Sequence, residues 1–256
     1  MKNTTLKDKL RKRELTIGSW VSMGHISVPE ILSNAGFEWL VVDMEHTTTD
    51  YGNLHALITA TQAYDMAALV RVGSNDELNI KRAMDAGADG VVVPMINSAE
   101  EARKAVSYVK YPPVGVRGVG LFRAQKYGMG FEEYKQWVKD HSVVILQIEH
   151  IEGINALEEI LDVPGVDGVI IGPYDLSGSV CDPGDFANPK MVQALEKYKS
   201  ICSHRKMTMG FHQVAPDANL LEAKIAEGYT FIAFGADFLF MGKYACDAMS
   251  EFRKEK

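Results

Sequence analysis

Cysteine is scarce in this 256-residue chain: Cys181, Cys202 and Cys246 stand far apart, with no CxxC spacing. An odd, dispersed set excludes a disulfide framework and a thiolate metal site, and points to the reducing cytoplasm. Positive charge is also short. Against 34 Asp and Glu there are 27 Lys and Arg, a net charge of −7, which leaves no general basic footprint for nucleic acid. The one dense basic run, KDKLRKR over residues 7–13, reads as a solvated first helix. No apolar stretch reaches the length of a membrane span, and the first fifteen residues lack the apolar core of a signal peptide. No GxGxxG follows the first strand-like segment and no GxSxG occurs anywhere, which argues against a dinucleotide fold and a serine nucleophile elbow. The interiors of the central strand-like runs carry no lysine, which excludes Schiff-base chemistry on a desolvated amine.

What is present is a regular alternation. The apolar runs LTIGSWVS, EWLVVDMEH, AALVRV, GVVVPM, VVILQIE, GVIIGPYD, KMTMGFHQ and TFIAFGAD are separated by stretches of helical spacing. Continuous Val/Ile/Leu runs mark parallel strands covered on both faces. Asn75 or Asp76 is placed to open a helix that Gly87 ends, Ser98 and Glu101 form a capping-box-like pair, and Pro189 falls near a first turn. About eight strand–helix repeats in 256 residues predict an α/β fold, a (β/α)8 TIM barrel forming a single domain over residues 1–256, with an extra N-terminal helix. The Gly- and Pro-rich stretch YPPVGVRGVG, and the aromatic segment after it, interrupt the rhythm as a long functional insertion. Its GVRGVG reads as a flexible turn rather than a phosphate cradle.

In such a barrel, chemistry belongs at the C-terminal strand ends. Those ends carry Ser22, the Asp43–Met44–Glu45–His46 segment, Arg71, Pro94–Met95, the Gln147–Ile148–Glu149–His150 segment, the Gly172–Pro173–Tyr174–Asp175 segment, His212–Gln213 and Asp237. Acids, imidazoles and one guanidinium on a single face suit an anionic substrate held on a metal. Glu149 and Asp175, with no cysteine near them, suit a hard divalent ion such as Mg or Mn. Each residue has a plainer alternative. Asp43 could cap the next helix; Asp175 could cap or ligate; Arg71 could serve a structural ion pair or clamp a substrate. His55, His141 and His204 read as surface residues, and Asp85 as an exposed helix position.

The ordered set DMEH, ALVRV, IKRAMDAGADGVVVPMINSAEEA, YPPVGVRGVG, QIE and GVDGVIIGPYDLS, spread from about Gly18 to about Gly242, resembles the metal-dependent pyruvate aldolases of the HpcH/HpaI family. That family includes 4-hydroxy-2-oxoheptanedioate aldolase and 2-dehydro-3-deoxy-sugar-acid aldolases. The resemblance implies reversible retro-aldol cleavage of a 4-hydroxy-2-keto acid to pyruvate and an aldehyde, with Mg, Mn or Co as cofactor. It further implies His46 as the acid/base acting through a water, and Asp85 as its partner, setting tautomer and basicity. Arg71 would bind the keto oxygen and stabilise enolate charge, and Gln147 would contact substrate. Glu149 and Asp175 would hold the metal, and the Tyr174 and Asp175 amides would receive the substrate carboxylate. It implies a homo-oligomer, trimer or hexamer, with the last helix exchanged and the pocket completed by a neighbour. The wider family admits an alternative, a citrate-synthase-like or acyl-CoA-lyase-like enzyme on the same enolate scaffold. The departures fall on the acceptor side: Met44 in DMEH, Cys181 in LSGSVCDPG, the GLFRAQKYG segment, and His212 where many members carry an apolar residue. His212 is accordingly a candidate substrate contact.

Overall fold

The computed structural model describes residues 5–254. Eight strands run in chain order: β1 (Thr16–Val21), β2 (Trp39–Asp43), β3 (Ala67–Arg71), β4 (Gly90–Val93), β5 (Val143–Ile148), β6 (Gly168–Ile171), β7 (Met209–Gln213) and β8 (Phe231–Ala236). All neighbours pair in parallel, and β8 returns to β1 to close a barrel. Strands β2, β4, β5 and β6 are buried along their whole length, which is why they read as unbroken apolar runs. Inside, Trp39 stacks on Phe231 at 4.1 Å, packed with Val41, Leu69, Val92, Ile145 and Ile170. This filled interior gives the mouth above it a rigid floor.

The helix signals read from the sequence act as expected. Asp76 accepts from the Asn79 amide and Ser98 from the Glu101 amide, while Gly87 ends its helix with φ +99°, a conformation that favours glycine. Pro189 occupies the first turn of the helix Pro189–His204.

Three expectations change. The N-terminal helix Thr5–Lys12 is not simply solvated: Leu6, Lys7 and Leu10 are buried, and Lys7 pairs with Asp167 at 2.8 Å and donates to the Ser142 carbonyl. A charge can be buried when it is paired and hydrogen-bonded in this way. GVRGVG is not a loose turn, because Arg117 at its centre is fully buried between Tyr111 and Tyr134. His55 and His141 are half-buried rather than on the surface, whereas His204 is exposed. The final helix, Asp237–Lys254, leaves the body of the barrel: residues 241–254 are exposed throughout, Met241, Tyr244, Met249 and Phe252 among them.

Candidate active site

Strand register builds the site. Asp43 and Arg71 end β2 and β3 as direct register partners, so the two side chains rise together from the barrel mouth. Arg71 grips Asp43 with two parallel bonds, Nε to Oδ1 at 2.9 Å and a terminal nitrogen to Oδ2 at 2.8 Å. This fork-to-carboxylate geometry is the strong form of the pair. Asp43 is therefore not a helix cap; Asp50 caps the following helix instead. Burial alone would raise the Asp43 carboxyl, but Arg71 and the Glu45 and His46 amides outweigh it and hold it below its ordinary range. Those amides donate to Asp43 Oδ1 at 3.0 and 3.4 Å, which fixes the turn carrying Glu45 and His46. Arg71 also lies over the Trp20 ring at 4.4 Å and 3.3 Å from Glu45. The structural pair and the clamp are thus compatible, since one guanidinium edge is spent on Asp43 and another faces the mouth.

On the other side stand the β5 and β6 ends. Gln147 and Glu149 share a face, as strand alternation requires, and Gln147 Nε2 donates to Glu149 Oε2 at 2.5 Å. The other Glu149 oxygen accepts from the Met95 amide at 2.7 Å. Met95 presents that N–H from a left-handed φ of +54°, a costly conformation for a non-glycine residue and one often held at functional sites. Gly172 makes the approach possible, for a Cβ there would lie 2.7 Å from Glu149 Oε2 and 3.0 Å from Gln147 Nε2. Burial, with the negative charges of Glu45 and Asp175, pushes Glu149 up to about 7. Asp175 lies in the first turn of the helix Pro173–Val180, whose N-cap is Gly172, so it does not cap that helix. By helix geometry the Tyr174 and Asp175 amides have no acceptor within the helix and point outward from its positive end.

The donor set fits a hard cation. Glu149 and Asp175 offer oxygen, repulsion among the carboxylates asks for positive charge, and the buried Gln147 Oε1 has no hydrogen-bond partner. Among the described residues no group of three or more His, Cys, Asp or Glu forms a closed cage. Two carboxylates would leave the remaining positions to substrate and water, as an open catalytic site requires.

His46 is largely exposed and lies 3.6 Å from Glu45. Asp85 does not reach it within the chain: its carboxylate is held by Arg117 at 2.5 Å, and among the described residues no hydrogen bond or ion pair joins Asp85 to His46. Nor is Asp85 an exposed helix position, since its side chain is only 17% exposed. His212 is half-buried beside Trp20, ring centroids 5.3 Å apart. Burial and the nearby Arg71 charge push it down to about 3, so it is neutral, and its Nε2 has no partner. Asp237 ties β8 to the end of β1 by accepting from the Ser22 and Met23 amides. Trp20 was not singled out from sequence, and Glu45 was named at its strand end without a role. The cue for Trp20 was available: it lies two residues before Ser22, on the same face of β1 by strand alternation.

A closed parallel barrel with acids, an imidazole and a guanidinium gathered at the C-terminal ends of its strands is the architecture of a (β/α)8-barrel enzyme. Similarity to known proteins narrows this. Residues 16–241 match the family described as HpcH/HpaI aldolase/citrate lyase, and the chain belongs to that family. It is 38% identical over 234 residues to 2-dehydro-3,6-dideoxy-6-sulfogluconate aldolase of Pseudomonas putida, covering 91% of this chain and 90% of that one. It is 34% identical over 252 residues to 2-keto-3-deoxy-L-rhamnonate aldolase of Escherichia coli strain K12, covering 98% and 93%. A crystal structure of an HpcH/HpaI aldolase/citrate lyase family protein from Burkholderia cenocepacia J2315 superposes with a TM-score of 0.92 at 31% identity, covering 98% of this chain and all of that one. The chain is an aldolase, a carbon–carbon lyase that cleaves a 4-hydroxy-2-keto acid reversibly to pyruvate and an aldehyde.

Proposed function

We propose that the chain acts as one catalytic unit on a deoxy-sugar-derived keto acid, with a divalent cation (Mg, Mn or Co) held by Glu149 and Asp175. The observation that carries this reading is the buried Glu149, held between Met95 and Gln147 and pushed up by burial and then by the acids around it. The cation, when bound, acts as a Lewis acid toward the keto acid and spreads negative charge. The residues do the rest. The Tyr174 and Asp175 amides receive the substrate carboxylate at the helix N-terminus, and Gln147 contacts the substrate. Arg71, already oriented by Asp43 and Trp20, binds the keto oxygen and meets the enolate charge. His46 removes the C4 hydroxyl proton through a water, and the C3–C4 bond breaks. General acid–base help of this kind is worth roughly 10²–10⁴ in rate. The measurement is pyruvate release from a 4-hydroxy-2-keto acid, before and after EDTA. Release that stops with EDTA and returns on adding Mg, Mn or Co is expected; undiminished turnover in metal-free enzyme would sink the metal role.

Asp85 acts, in this reading, on the His46 of another copy, so the site is completed by a neighbour in a trimer or hexamer. The exposed apolar residues of the final helix support assembly through that element. Three free, unpaired cysteines support a cytoplasmic location. No helix among the described residues is long and apolar enough to cross a membrane, and small keto acids and aldehydes are the expected partners. The citrate-lyase-like alternative has less behind it, because both curated relatives described above are aldolases of deoxy-sugar acids.

His212 contributes to the acceptor side by packing on Trp20, which in turn carries Arg71. Replacing it with leucine is expected to change aldehyde preference by ~10-fold, the scale of a one-group change in a pocket, while leaving metal binding intact. The same variant should resist acid better. A histidine whose folded pKa, about 3, lies below its unfolded value contributes stability above pH ~6.5, and that stability is lost as pH falls toward 3. Acid unfolding of His212→Leu that tracks the wild type would contradict this assignment.

A further inference from the structure

The basic run at residues 7–13 has no part in the aldol chemistry, and part of it lines a cavity. Lys7 and Arg11 face a space of about 460 Å³. Asp167 and Thr208 also line it and immediately precede β6 and β7, so it lies at the N-terminal ends of the strands, away from the active site. Three further cations meet there from separate segments: Lys110 after the helix Ala99–Val109, Lys139 from the helix Phe131–His141, and Lys206 after the helix Pro189–His204. Asp167 is the one acid lining the cavity among the described residues. Its carboxylate is already taken by Lys7 and the Val144 amide. In a chain whose net charge is −7, this is a marked local excess of positive charge.

Lys110 shows that the excess is built in. Its side chain is buried, yet Nζ donates only to neutral oxygens, the Val138 carbonyl and the Ser142 hydroxyl, both at 2.7 Å. Lys7 Nζ sits on the carbonyl of the same serine at 2.6 Å. Burial first, then the Lys7 and Arg11 charges, push Lys110 down to about 8, while Asp167 and Asp140 pull the other way. A buried ammonium without a countercharge is costly, and an anion in the cavity would supply one. At the rim, Lys139 and Lys206 are exposed and form no ion pair among the described residues, and Arg11 has only Asp8 at 3.8 Å. Val106 and Val166 add an apolar wall. We infer that this cavity binds a small phosphate monoester, its phosphoryl group among Lys110, Lys139 and Lys206 and its organic part on the apolar wall. A cleft lined by one sign of charge concentrates counter-ions, and bonds from ammonium to phosphoryl oxygen are charge-assisted. No residue of this site belongs to the barrel mouth, so the inference stands apart from the aldolase reading.

The test is calorimetry on the full-length protein at about pH 8, with adenosine monophosphate and sulfate as probes. Both are dianions there, so a difference between them reports the organic part. EDTA keeps a divalent ion from bridging either probe to Glu149 and Asp175. Adenosine monophosphate is expected to bind once per chain with Kd below ~1 mM, and more tightly than sulfate. Lys139→Ala/Lys206→Ala should weaken it by at least ~10-fold and Lys110→Met by ~10–100-fold, against less than about twofold for the exposed control pair Lys104→Ala/Lys190→Ala. A bound anion favours the charged form of Lys110, whose pKa is about 8. Binding near that pH should therefore take up as much as about half a proton, read in buffers of different ionisation heat, and Lys110→Met should abolish the uptake. Pyruvate release by the rim variant should match the wild type. Binding of both probes weaker than ~1 mM overturns the site, as does a control pair that loses as much affinity as the rim pair. A matching loss of pyruvate release in the rim variant would place the probe at the barrel mouth and overturn it too. Sulfate bound as tightly as adenosine monophosphate would overturn the monoester and leave a free oxyanion as the ligand.

Discussion

Arg71→Ala is expected to lower kcat/KM by ~10²–10³, the usual cost of removing one preorganised stabiliser of developing negative charge. It should also destabilise the protein by ~3–5 kcal/mol, because Asp43 is left as a buried, unpaired carboxylate. The two losses are separable. Asp43→Ala alone should be destabilising, since it leaves the Arg71 charge without its bidentate partner. The double variant Asp43→Ala/Arg71→Ala should regain part of the stability, because no orphaned charge remains, but none of the activity. Arg71→Lys keeps the positive charge yet cannot reproduce the fork on Asp43 while facing the mouth, and should fall between. Urea unfolding and steady-state kinetics on the four proteins check this. Recovery of activity in the double variant would show that Arg71 matters only for stability.

The second large effect is at Glu149. Glu149→Gln is expected to weaken Mn binding by more than ~100-fold, above the range found when only an outer-shell partner is lost, and to lower kcat/KM by at least ~10². Its pH signature is distinctive. In the metal-free protein, the folded-state pKa of Glu149 is about 7, above the ordinary carboxylate value. Between that ordinary value and 7 the folded state holds more protons than the unfolded one, so stability falls as pH rises through the window. The full shift corresponds to at most ~3–4 kcal/mol. Glu149→Gln has no such proton to lose, so its metal-free Tm should decline less from pH 5 to pH 8 than that of the wild type. Added Mn should raise the wild-type Tm strongly at pH 8 and weakly at pH 5, where the ion competes with the proton on Glu149. Equal stabilisation at both pH values would remove Glu149 from the ligand set.

Much of this was legible in the chain. VVILQIE and GVIIGPYD gave the β5 and β6 runs, and Gln147 and Glu149 were placed on one face by alternation alone. What the residues could not reveal was the partner of each charge. Asp43 looked like a helix cap because the spacing of acid and helix is local, whereas its actual partner, Arg71, lies 28 residues away on the next strand. Asp85 looked solvated because Arg117, which neutralises it, comes from a glycine-rich segment that carries no periodicity. Lys7 looked like one of a solvated basic cluster, but its partner Asp167 is 160 residues distant.

The sequence by itself determined the barrel, and with it the face on which chemistry sits. In a parallel sheet covered on both sides, position along each apolar run already states which end of the strand a residue occupies. Only the tertiary structure decided which acids are neutralised and which are left free. Charge pairing depends on a few ångströms between residues brought together by register and loop closure, and hydrophobic periodicity carries no record of those distances. That is why Asp43 and Glu45 share Arg71 and Asp85 is bound to Arg117, while Glu149 is held only by an amide N–H and Gln147 at the barrel mouth.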